Sequence, residues 1–111
     1  MIEKTIRDYL NNTMLIPTYL EIPKDPPERF IVIEKTSGGR KNKVESSAFA
    51  MQSYAESLFH AAELNQDLKN AVERMVVLDE IASVRLNSDY NFTDAGTKQY
   101  RYQAVFDIKH Y

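Results

Sequence analysis

A chain of 111 residues lies in the size range of one domain, and a 43% hydrophobic share with seven Tyr and five Phe is enough to build one core, which excludes global disorder. A formal net charge of −2 gives the protein as a whole no strong attraction to nucleic acid or to an anionic membrane, so any polyanion contact has to be local. The lack of cysteine excludes a disulfide framework, thiolate zinc sites and a cysteine nucleophile, and suits folding in a reducing compartment.

Ile2, Ile6, Tyr9 and Leu10 recur at helical spacing between charged residues and predict a short amphipathic helix over Ile2 to Leu10, ended by Asn11-Asn12. Its charged start and the shortness of the apolar runs around Met14 and Met75 predict neither a signal peptide nor a membrane span. Pro17 precedes a strand expected from about Thr18, because proline lacks the ladder donor and favours an edge or a strand start. Pro23, Pro26 and Pro27 then fix a turn. The β-branched run Phe30-Ile31-Val32-Ile33-Glu34 reads as a second strand, covered on both faces.

Ser37-Gly38-Gly39 is expected to break this strand and lead into a mobile, glycine-hinged basic loop carrying Arg40, Lys41 and Lys43. A third strand from about Val44 to Met51 would complete an antiparallel meander. From Ser53 the apolar positions turn helical, through Tyr54, Leu58, Leu64 and Leu68 to Met75, with Asn65 as a weak internal cap that would split the stretch into a helix pair. Ile81 to Leu86 reads as a fourth strand and Asn87 to Gly96 as a polar connection. The last strand is the clearest: Tyr100, Tyr102, Ala104, Phe106 and Ile108 alternate with Arg101, Gln103, Asp107 and Lys109, with Val105 the one apolar exception. The class is therefore α+β over residues 1–111: an N-terminal helix, a three-stranded meander, a long helix or helix pair and a C-terminal hairpin, one sheet layered against helices.

No residue pattern points to catalysis, a metal or a cofactor. His60 and His110 lack a second histidine at ligand spacing, Asp79-Glu80 reads as a solvated junction, and Gly38-Gly39-Arg40-Lys41 lacks the spacing and following helix of a phosphate loop. The basic loop is a candidate contact for a polyanion or an acidic partner. Tyr90, Phe92, Lys98 and Arg101, polar and aromatic residues around the last turn, are candidate subunit or partner contacts. A small binding or regulatory module, with bases stacked on Tyr90, Phe92, Tyr100 and Tyr102, is the alternative reading.

Pro17-Thr18-Tyr19-Leu20-Glu21-Ile22-Pro23, Arg29 to Thr36, Leu86 to Asp94 and Lys98 to Asp107 cover most of the chain, and together they resemble the tail terminator, or tail completion, proteins of tailed phages and prophages of Gram-positive bacteria. The resemblance implies an α+β subunit of a ring, usually of six copies, that caps the tail tube and joins it to the head. The implied partners are the protein itself, the tail tube protein and a head–tail connector or stopper, with non-specific contact to DNA in the lumen and none to a membrane. The implied location is the virion neck, with assembly in the host cytoplasm. The family has no active site, so no catalytic residue carries over.

Overall fold

The computed structural model describes residues 1–111 and shows an α+β architecture of two helices against a five-stranded mixed sheet. Helix α1 spans Ile2–Met14, β1 Thr18–Tyr19, β2 Phe30–Lys41, β3 Val44–Tyr54, α2 Leu58–Glu73, β4 Ile81–Asn91 and β5 Arg101–His110; one 3-10 turn, Arg74–Val77, follows α2. The strand order is β1-β2-β3-β5-β4. No helix is long and apolar enough to cross a membrane.

Alternation along the strands decides which side of the sheet the helices cover. Ile31 and Ile33 of β2, Phe49 and Met51 of β3, and Ala104, Phe106 and Ile108 of β5 all point to one side. There they form one core with Ile6 and Leu10 of α1 and Leu64, Leu68, Ala71 and Val72 of α2. Phe106 and Ile108 are thus core residues, as the alternation predicts, whereas Tyr102 is only half-buried. The Tyr9 hydroxyl donates to the Ala71 carbonyl at 2.7 Å and ties the two helices together. The opposite side carries a small separate cluster, Phe30, Val32 and Tyr54 with Tyr19 against it, and has no helix over it.

Several expected boundaries move, each for a local reason. Helix α1 runs through Asn11-Asn12 to Met14 and ends where Leu15 enters the left-handed region at φ 58. Asn11 does not stop the helix; its side chain reaches sideways to Thr18, accepting from the backbone N–H at 2.9 Å and so fixing β1. The meander is corrected: β1 pairs with β2 in parallel, Thr18 with Ile31 and Tyr19 with Val32, and the Ile31 N–H donates to the Pro17 carbonyl. The proline-rich stretch between β1 and β2 brings the chain back, so that both strands run in the same direction.

Ser37-Gly38-Gly39 does not break β2, and both glycines have negative φ. The strand extends to Lys41, with one irregularity between Lys35 and Ser37, and reverses at Asn42-Lys43, whose φ values of 53 and 66 are those of a two-residue hairpin turn of the primed type. The glycine-hinged loop is therefore an ordered hairpin tip. Tyr54 ends β3 and does not begin the helix; α2 starts after Ser57, whose hydroxyl accepts from the His60 N–H at 3.1 Å as an N-cap. Asn65 splits nothing. It is buried in mid-helix, and its Nδ2 donates to Asp89 at 2.6 Å while Lys69 pairs with the same carboxylate, so α2 is pinned to β4. Residues 87–91, expected in a loop, belong to β4, because they pair with β5 from Val105 to Tyr102.

Candidate functional site

The register converts the uncovered side of the sheet into rows running across the strands. In the first, Phe30 lies opposite Tyr54 and Tyr54 opposite Arg101. Tyr19 meets Phe30 edge-on at 6.1 Å, Phe30 stacks on Tyr54 at 4.5 Å with the rings 4° from parallel, and Arg101 sits between Tyr54 and Phe92. The second row is an amide ladder, Val32, Gln52, Gln103 and Tyr90. Gln52 donates to Gln103 at 2.7 Å, and Gln103 in turn donates to the Tyr90 hydroxyl. Toward the hairpin tip the rows carry small side chains, Ser37 with Ala48 and Gly39 with Ser46, flanked by Asp107, Arg85 and Lys109. They leave a shallow trough of about 620 Å³.

The candidate contact residues fall into two groups. Arg40, Lys41 and Lys43 stand together at the hairpin tip, exposed and in no ion pair. Tyr90, Phe92, Lys98 and Arg101 gather at the other end of the sheet. Tyr90 and Phe92 are half exposed and meet edge-to-face at 5.9 Å, and Lys98 is exposed in a left-handed conformation at φ 55. Arg101 turns into the chain: Nε donates to the Phe92 carbonyl at 2.7 Å, one terminal nitrogen donates to the Tyr54 hydroxyl at 3.1 Å, and the guanidinium lies 4.6 Å from the Phe92 ring centre. It organises the turn from within.

The two histidines occupy structural positions. His60 Nδ1 lies 2.8 Å from the Ser57 hydroxyl and 3.0 Å from Glu56 Oε1. Both partners meet the same ring nitrogen, so the three side chains cap α2 and do not form a relay, in which a base needs its second nitrogen for the orienting carboxylate. Arg29 holds Glu56 from the other side, with Nε 3.0 Å from each carboxylate oxygen. That grip lowers the Glu56 carboxyl to about 2, and Arg29 is raised in return. His110 is buried and bonded to Ser47 at 3.0 Å.

The sheet has two unlike sides, a property that the strand order reveals and the sequence does not. On the β1 side, Leu15 is 84% and Ile22 48% exposed. On the β4 side, Val77 of the 3-10 turn packed beside β4 is 77% exposed, with Val76 and Leu86 also open. Just before β4 stand Asp79 and Glu80, exposed and in no ion pair. No protein-family model matches the chain, and no curated protein is similar to it.

Proposed function

We propose that the chain is a structural subunit of a tailed-phage virion, a ring-forming protein of the tail terminator type that caps the tail tube and helps to join it to the head. The observation that carries this reading is the pair of unlike contact sides. Leu15 and Ile22 flank the β1 edge, and Val76, Val77 and Leu86 flank the β4 edge at the far end of the strand order. Two unlike sides are what a head-to-tail contact requires, and such contacts close into a ring when the rotation between copies divides a full turn. Six copies is the number that the family resemblance implies. Strand β4, and β2 beyond Val32, supply the long open edges that such a subunit needs.

The nucleic-acid alternative depends on aromatic faces open to a base. Of the aromatics it would use, Tyr100 and Tyr102 are half-buried and the Arg101 guanidinium lies 4.6 Å from the Phe92 ring centre, which disfavours stacking there. Sedimentation velocity and negative-stain microscopy of the purified protein, alone and mixed with tail tubes, test the proposal. Closed rings or capped tube ends are expected. A monomer that leaves tube ends bare and binds oligonucleotides in a salt-dependent way would replace this reading by the binding module.

A further inference from the structure

Three antiparallel steps, β2 to β3, β3 to β5 and β5 to β4, separate the two long edge strands, so β2 and β4 run in opposite directions. A second copy placed in the same orientation beside β4 therefore offers its β2 antiparallel to β4, and the sheet continues across the junction without a change of alternation. The edge is free to receive it, because β1 covers β2 only at Ile31 and Val32. We propose that β4 of one copy pairs with the stretch Glu34 to Lys41 of β2 in the next copy; this rests on the ring-forming reading and names its contact.

Charge fixes the height of the pairing. Arg40, Glu45, His110 and Ile81 lie in one row across the sheet. A neighbour at the same level sets its Arg40 beside Ile81, and its Lys41 and Lys43 beside the Asp79-Glu80 pair that immediately precedes β4. Three free cations thus meet two free carboxylates at matched height. Lysines and strand irregularities on edges ordinarily block stray pairing, and a partner that brings the opposite charges to the same level makes the block selective for itself.

The glycines of β2 give an independent argument. Glycine inside a strand weakens it, and neither Gly38 nor Gly39 has the positive φ that would require glycine. A Cβ at Gly39 would meet nothing within 4 Å, so the chain's own packing does not require a glycine there either. Within a strand, glycine often marks a place where another backbone comes close. In the pairing described, Gly39 and Gly38 stand level with Ser83 and Val84 of the neighbour, in the regular stretch between the two irregularities of β4.

The register predicts a covalent test. Ser37 and Arg85 share a row on the uncovered face, are exposed, and would sit opposite each other across the junction, within disulfide reach. Because the protein has no cysteine of its own, the double variant S37C/R85C, once its melting curve shows a folded protein, is oxidised mildly and run on a non-reducing gel. A ladder of covalent multimers is expected from the double variant and none from either single variant. In parallel, K41E/K43E and D79K/E80K should each lose the oligomer by sedimentation, and the chain carrying all four reversals should regain it. A disulfide-linked dimer from R85C alone would mean β4 against β4 across a two-fold axis and would overturn the proposal, as would absence of the ladder. Rings in micrographs of a preparation without a ladder leave the ring-forming reading standing on another interface; neither rings nor ladder sinks both.

Discussion

Arg101 holds Phe92 twice over, by a 2.7 Å hydrogen bond from Nε to its backbone carbonyl and by a guanidinium lying 4.6 Å from its ring centre. The same side chain reaches the Tyr54 hydroxyl on the neighbouring strand, so one planar group joins the β4–β5 turn to the end of β3. Lysine keeps the charge but has no plane to stack and no fork to share. Arg101→Lys should therefore cost about 1 kcal/mol of stability, measured by denaturant melts, and should speed amide exchange in residues 92–100 ahead of the core. A variant as stable as the parent would show that the turn holds itself through the paired backbone bonds of Asp94 and Gln99.

Phe106 is fully buried at the centre of the helix-covered face, opposite Phe49 on one side and Leu86 on the other. Removing its ring leaves a cavity between two strands and a helix that cannot all close in on it. Phe106→Ala should cost on the order of 3–5 kcal/mol. A loss under about 1 kcal/mol in denaturant melts would mean that the core repacks around the gap.

How legible the fold was in the sequence depended on whether a residue's signal was local. Alternation along β5 was plain, because its partners put most of its apolar and polar residues on opposite sides, with Val105 the apolar exception on the uncovered side. The β2–β3 turn was misplaced, because Gly38-Gly39 is a strong break signal by composition while the true turn, Asn42-Lys43, lacks the glycine that usually marks a primed turn. Tyr54 was assigned to the wrong element because its spacing to Leu58 suits a helix equally well; the Ser57 cap was the better marker. The candidate contacts divide likewise. The free cations of the tip were visible as a run, but the height of Asp79-Glu80 relative to them is set by pairings such as Glu45 with His110, which no local pattern contains. The inward role of Arg101 was hidden for the same reason.

Acid should find the Arg29–Glu56 contact. The hydrogen bond from Arg29 is the largest cause that lowers the Glu56 carboxyl from its usual 4.5 to about 2. A carboxyl whose folded value lies below its unfolded one binds protons more readily when unfolded, so its contribution is fully present above about pH 4.5. It fades as pH falls and is gone below about pH 2. Both side chains are partly exposed, so solvent and salt keep the effect small. Glu56→Gln should lower the melting temperature slightly at neutral pH, leave it unchanged below about pH 2, and so flatten the decline over that window. An unaltered acid profile would assign the decline to other carboxylates.

Ser53 is fully buried on the helix-covered side of β3, and its hydroxyl has no partner. A polar atom hidden without a hydrogen bond subtracts from stability, and alanine fits the same space without it. Ser53→Ala should raise stability by up to about 1 kcal/mol in thermal or denaturant melts. A clear loss would indicate a hydrogen bond at this position, for instance to a bound water.

Lys43 separates folding from assembly at one position. At φ 66 it occupies the second central place of the β2–β3 turn, where the common partner of asparagine is glycine. An L-residue in the left-handed region costs roughly 1–2 kcal/mol, and glycine would relieve this at a cost of roughly 0.4–1 kcal/mol through its freer unfolded chain. Lys43→Gly should therefore stabilise the protein by up to about 1 kcal/mol. The same change deletes one of the three exposed cations of the tip. Arg40→Gln with Lys41→Gln deletes the other two without touching the turn, and should leave the melting transition within about 0.5 kcal/mol of the parent, since neither side chain is paired inside the chain. If the tip serves assembly, the glycine variant is more stable yet forms fewer rings, and the glutamine pair is equally stable and also forms fewer. Undiminished ring formation and normal particle yield from all three substitutions combined would make the tip a solvated hairpin end and leave its charges without a part in assembly.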